Sequence, residues 1–169
     1  MKYIVLIFLL AYNLMAYEFV LVNSTEIDDQ NIIDRIENQI KNYYYSEENE
    51  IIFKELDDKE AVLEILDEYD YSGDVEEQEQ LIQRYEDSQE DLQKIFSTKY
   101  ILIVREKINR DNRKELEIVL KVDNLNYFDG TFVMPNIDEK ELHYVDTITN
   151  VVLTYLVYKD KNFIKVHQL

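Results

Sequence analysis

Short apolar runs alternate with amphipathic stretches along this chain, and their periods differ enough to separate strands from helices. Tyr17–Asn23 (YEFVLVN) is a continuous apolar run ending in Asn-Ser-Thr, the pattern of a buried strand entering a turn. Ile32, Ile33, Ile36, Ile40 and Tyr43 or Tyr44 then fall at helical spacing, which makes one apolar helix face. Asp28 or Asp29 stands where a cap is needed. Residues 50–56 (EIIFKEL) predict a second strand, and Asp57 or Asp58 caps a helix with Val62, Leu63 and Leu66 on its apolar side.

After a break at Ser72-Gly73, one long helical stretch is expected, with Leu81, Ile82, Tyr85, Leu92, Ile95 and Phe96 as its stripe. Tyr100–Ile108 (YILIVREKI) is a strong strand, and residues 109–113 form a polar turn. Leu116, Ile118, Leu120 and Val122 alternate in strict period two, which predicts a strand with one buried and one wet face. Asp129-Gly130 is a hairpin signal ahead of a strand over residues 131–134. Pro135 and Asn136 precede a last helix carrying Leu142, Val145, Ile148, Val152 and Leu156, and residues 162–167 complete the pattern as a final strand. The order β-α-β-α-α-β-β-β-α-β gives an α/β fold, a mixed sheet flanked by helices. No repeat or linker divides the 169 residues, so a single domain over residues 17–169 is expected.

The first residues alter that picture. MKYIVLIFLLAYNLMA has one Lys, an apolar run from Tyr3 to Tyr12 and a small residue at Ala16, the layout of a signal peptide over residues 1–16. The apolar run would span only about 15 Å as a helix, against roughly 30 Å of hydrocarbon. Continuing it through Val22 would include Asn13 and Glu18. Cleavage near Ala16 and a periplasmic or secreted product without a stable membrane span are therefore expected. There is no Cys, which excludes disulfides, thiolate metal sites, cysteine nucleophiles and a lipidated Cys.

The net charge is −18, a surface that repels phosphate backbones and anionic headgroups, so nucleic acid is not an expected partner. Apolar content is ordinary at 46%, and a chain of this length buries about two-thirds of its unfolded surface.

Residues 68–79 (EYDYSGDVEEQE) look like a calcium loop. Glu68, Asp70, Ser72 and Glu79 supply oxygens at positions 1, 3, 5 and 12, with Gly73 at 6 and Val75 at 8. The flanking Asp67 and Gln80 are polar where paired helices need apolar residues, and no second hand follows. A simpler account is a helix break, with Gly73 ending one helix and Ser72 or Asp74 capping the next. No metal or cofactor is expected on this reading.

The wider pattern resembles a group of bacterial envelope domains: the TolB amino-terminal domain, the curli-secretion lipoproteins and the penicillin-binding-protein activators. The matching pieces are VLVNST in the first strand, Ile65-Leu66-Asp67-Glu68, Ser72-Gly73-Asp74-Val75, Lys99-Tyr100-Ile101-Leu102 and the KVDNLNYFDGTFV meander. Ser97-Thr98-Lys99 and Arg105 depart from the group's pattern, and the alternating insertions of a curli-type pore are absent. The resemblance implies a bare exported α/β domain that binds another envelope protein.

Catalytic signatures are scarce. With two His, two Gly and no Trp, the chain carries no phosphate-cradling loop, serine-hydrolase elbow or zincin motif. The first expectation is therefore a non-enzymatic interaction module in which Tyr45, Tyr69 and Tyr71 are the candidate contacts. The acidic stretch 76–90 reads as a solvated helix face. The alternatives are a small exported hydrolase with two carboxylates about 5–10 Å apart, and a calcium-binding module built on residues 68–79.

Overall fold

The computed structural model describes residues 16–43, 50–68, 75–123, 125–133, 140–160 and 163. Strands β1 (Tyr17–Asn23), β2 (Ile51–Lys54), β3 (Tyr100–Ile108), β4 (Lys114–Val122) and β5 (Leu125–Val133) form one sheet in the order β2-β1-β3-β4-β5. β1 pairs in parallel with both β2 and β3, whereas β3, β4 and β5 form an antiparallel meander. Helices α1 (Asp29–Tyr43), α2 (Lys59–Glu68), α3 (Val75–Arg84), α4 (Gln89–Ser97) and α5 (Lys140–Tyr158) complete a mixed α/β fold. The sequence order is thus observed across the described residues. Of the expected final strand 162–167, only Phe163 is described, buried against Tyr17.

Two apolar layers sandwich the sheet. On one face Phe19, Leu21, Leu102, Val104, Leu116, Ile118 and Leu120 meet Ile32, Ile36 and Ile40 of α1 and Val145, Ile148 and Val152 of α5. On the other, Val20, Val22, Ile101, Ile103 and Val119 meet Val62 and Leu63 of α2 and Ile95 of α4. Residues i and i+2 of a strand share a face. β1 and β3 therefore read as unbroken apolar runs because both of their sides are covered.

The caps lie where the sequence puts them. Asp28 Oδ1 accepts the Gln30 N–H at 3.1 Å, and Asp58 Oδ1 accepts the Ala61 N–H at 2.9 Å. At the end of β1, Asn23 turns the chain: its Nδ2 donates to the Ile27 carbonyl (2.7 Å), and its Oδ1 accepts from the Thr25 hydroxyl (2.7 Å).

Four sequence expectations change. The stretch after residue 75 is not one helix; it breaks at Tyr85 and a single 3-10 turn (Glu86–Ser88) joins α3 to α4. The fold-back brings Leu81 and Leu92 together with Ile65 in a third buried cluster, a contact that one straight helix cannot make. β4 does not have one wet face, because Glu117 and Val119 are buried as well, Val119 beneath the helical layer and Glu117 within ion pairs. Leu142 lies outside the core, 52% exposed in the first turn of α5.

Finally, Asp129-Gly130 is not a hairpin turn. It lies inside β5, with Gly130 opposite Ile118, and the chain reverses at Asp123 (φ 51°) instead. Gly130 lies beneath a ring: a Cβ there would sit 2.6 Å from Cζ of Phe128, so the Phe128 side chain would have to swing aside. Glycine in a strand interior often marks such a close approach.

Candidate functional site

Buried carboxylates are the first place to look for chemistry, and three are described: Asp91, Glu117 and Asp160. Asp91 Oδ2 accepts the backbone N–H groups of Asp57 (2.9 Å) and Asp58 (2.8 Å), and Lys94 lies 3.3 Å from Oδ1. Burial alone would raise this carboxyl, but the Asp58 and Asp57 amides and Lys94 outweigh it and hold it below the usual range. Glu117 is bonded to Arg105 and Lys107, and the Arg105 guanidinium reaches Asp67 at 2.5 and 2.6 Å. Burial again opposes ionisation, and the two cations overcome it, leaving Glu117 lowered.

Asp160 closes a tyrosine cluster below the amino ends of β1 and β3. The Tyr100 hydroxyl donates to its Oδ2 at 2.6 Å. Desolvation, that bond and the nearby carboxylate push the Tyr100 phenol well above the ordinary tyrosine range. Tyr17, packed against Tyr100 and Phe163, is pushed up to about 12 by burial first and by Asp160 second. Its hydroxyl is buried without a hydrogen-bond partner.

Opposite responses to the same substitution are expected at these two phenols. Tyr17→Phe removes an unsatisfied buried hydroxyl and leaves stability unchanged or raises it by up to about 1 kcal/mol, whereas Tyr100→Phe takes a donor from a buried carboxylate and costs about 1–2 kcal/mol. Urea unfolding of both variants checks this, and equal losses would refute it.

All three buried carboxylates are thus occupied in holding elements together. Among the described residues, no group of three or more His, Asp or Glu side chains is placed to hold a metal ion. The residues central to the calcium reading, Asp70, Ser72 and Gly73, lie outside the described residues, as do the candidate contacts Tyr45, Tyr69 and Tyr71. His143 is exposed on the first turns of α5.

The sheet edges offer a more pronounced feature. A free edge strand presents unpaired N–H and C=O groups, which proteins ordinarily blunt with short strands, charges or proline. β2 is blunted in this way: it has four residues and ends at Lys54, which pairs with Glu18 at 2.7 Å. β5 is the opposite. It has nine residues (LNYFDGTFV), with no Pro, Lys or Arg, and among the described residues no strand lies on its outer side.

Leu125 (67%), Tyr127, Phe132 and Val133 (60%) are exposed along this edge. A register shift beside Leu120 and Lys121 leaves Tyr127 as the extra residue, and its ring turns toward Tyr155 at 4.4 Å. Beyond that bulge the strand is regular. Phe128 and Phe132 stack over Gly130 with ring centroids 6.1 Å apart.

This edge is missed when Asp129-Gly130 is read as a turn. The signal available in the sequence is the unbroken aromatic and β-branched content on both sides of that dipeptide. A groove of about 540 Å³ between α1 and α5 is a second concavity, with Leu142 at its rim. It is crossed by the Arg35–Asp146 pair (2.7 Å) and the Asn31–Glu141 bond (2.7 Å), which occupy those four polar groups. Among the described residues, no helix is long and apolar enough to cross a membrane. The chain matches no protein-family profile, no curated protein and no solved structure.

Proposed function

We propose that this chain is an exported, non-enzymatic protein-interaction module of the envelope-assembly type, acting in the periplasm through strand addition at β5. The observation that carries the reading is the nine-residue edge with Leu125, Tyr127, Phe132 and Val133 exposed along it, blunted only by Asp129 and by the bulge at Tyr127. Strand addition takes its affinity from main-chain hydrogen bonds and its selectivity from alternate side chains, and β5 supplies both. The signal-like first sixteen residues and the resemblance to envelope domains support export. The commitment of Asp91, Glu117 and Asp160 to internal contacts supports a binding role over hydrolysis. The net charge of −18 disfavours anionic surfaces and tunes encounter rates.

A photo-crosslinking residue at Phe132, compared with one at Ile52 on the β2 edge, tests this in the native cells. The expected result is a defined crosslinked product from position 132, lost in Thr131→Pro, which cannot donate from that rung. Equal products from both edges, or none from either, would refute the reading.

A further inference from the structure

Which strand meets β5 is decided by the sequence of β5 itself. On the interaction reading above, we infer that the partner is a second copy of this chain, paired antiparallel through β5 about a two-fold axis at Gly130. The edge is self-complementary in that register. Phe128 of each copy lies opposite Phe132 of the other, Asp129 lies opposite Thr131, and Gly130 meets Gly130. Residues directly opposite share a face. Phe128, Gly130 and Phe132 lie on the face of their own β4 partners Leu120, Ile118 and Leu116. The four phenylalanines of two copies therefore form one continuous aromatic ladder.

Neighbouring registers are poorer. Centring on Asp129 sets two carboxylates directly opposite, which is destabilising. Centring on Thr131 spends Phe132 on Gly130 and Asp129 on Val133. The isologous arrangement also suits the helical layer: α5 reaches β5 at Tyr127 through Tyr155, while Phe132 and Val133 stay exposed among the described residues. The two sheets then merge into one, and neither copy keeps its long apolar edge.

The ladder is short, which places it among the weak contacts that bury less than about 1,200 Å². It also joins two bodies of net charge −18. Repulsion between them is screened as the Debye length falls from about 10 Å at 0.1 M salt to about 3 Å at 1 M. Self-association therefore strengthens with salt, whereas docking of a cationic segment would weaken.

Sedimentation equilibrium of the purified protein, at about 0.1 M and about 1 M salt, reads this directly. The expected result is a monomer–dimer equilibrium that tightens at high salt. Thr131→Lys, which faces Asp129 of the other copy twice per dimer, tightens it by about three- to tenfold, and Thr131→Asp loosens it by a similar factor. The gain in Thr131→Lys cannot come from misfolding, and circular dichroism checks the fold of both variants. A dimer indifferent to the charge at position 131 would overturn the register and with it the inference. A protein that stays monomeric at high salt while position 132 crosslinks a different protein would overturn the second copy and leave the interaction reading standing. A monomer with no crosslink from position 132 would overturn both.

Discussion

Replacing Asp91 with Ala lowers the unfolding free energy by about 2–4 kcal/mol, because two backbone N–H groups at the entry to α2 lose the charged acceptor that the buried Asp91 supplies. Asp91 belongs to α4 yet satisfies the amides of Asp57 and Asp58, which precede Lys59 at the start of α2. A carboxylate at a helix start is favoured both as an acceptor and by the helix dipole. This one serves two helices at once, lying in the first turn of its own. Asp91→Asn keeps one acceptor oxygen and loses less, about 1–2 kcal/mol. The same contacts predict the pH response. An Asp whose carboxyl is lowered on folding contributes stability that is complete above its unfolded value of about 3.9 and disappears as pH falls through the folded value. The stability gap between the native chain and Asp91→Asn, followed by urea unfolding from pH 7 downward, therefore narrows below about pH 4. A gap that is constant with pH would mean that the charge on Asp91 contributes nothing.

Arg105→Leu alone costs about 2–3 kcal/mol, and Arg105→Leu combined with Glu117→Val returns to within about 1 kcal/mol of the native chain. Glu117 is 7% exposed in the middle of β4 and is bonded to Arg105 and Lys107. Removing Arg105 leaves that buried carboxylate with one partner, a cation whose side chain is half in solvent. Removing both members leaves Asp67 and Lys107, each exposed enough to be hydrated. Two apolar β-sheet residues then continue the layer formed by Ile103 and Val119. The loss in the single variant would thus come from stranding a charge, with little net value in the pair. A double variant as unstable as the single one would contradict this.

How much of this structure is legible in the chain depends on whether a local pattern had one meaning or two. Tyr17–Asn23 and Tyr100–Ile108 appear with the boundaries their apolar runs predict, since a strand covered on both faces has no competing pattern of that length. Asp28 and Asp58 cap as expected because capping depends on a few adjacent residues. The 3-10 break at Tyr85 was not legible, because the stripe from Leu81 to Phe96 fits a single long helix as well as two folded ones. What separates the two is the burial of Leu81 and Leu92 with Ile65, a distant contact. Glu117 reads as a wet position by alternation. It is buried because Arg105 and Lys107 on the neighbouring strand supply the charge that solvent would otherwise provide.

At the candidate site, sequence and structure part at one dipeptide. Asp-Gly is a strong turn signal, yet Asp123 takes the positive φ of the reversal. Gly130 instead lies beneath a ring, a contact visible only once Phe128 is folded over the strand. The tyrosines expected as contacts, Tyr45, Tyr69 and Tyr71, lie outside the described residues. The aromatic residues that the structure does place on an open edge are Tyr127 and Phe132.

The central position of β1 has a consequence for how the molecule is made. Its register partners in β3 begin at Tyr100, so the first strand to be synthesised has no neighbour on that side until most of the chain exists. β3, β4 and β5 need only two tight reversals and close among themselves within a few dozen residues. Contacts between sequence neighbours form early, and distant parallel pairings form late. The meander is therefore a template waiting for its own amino terminus, and β1, five of whose seven residues are apolar, stays uncovered on that side until it forms.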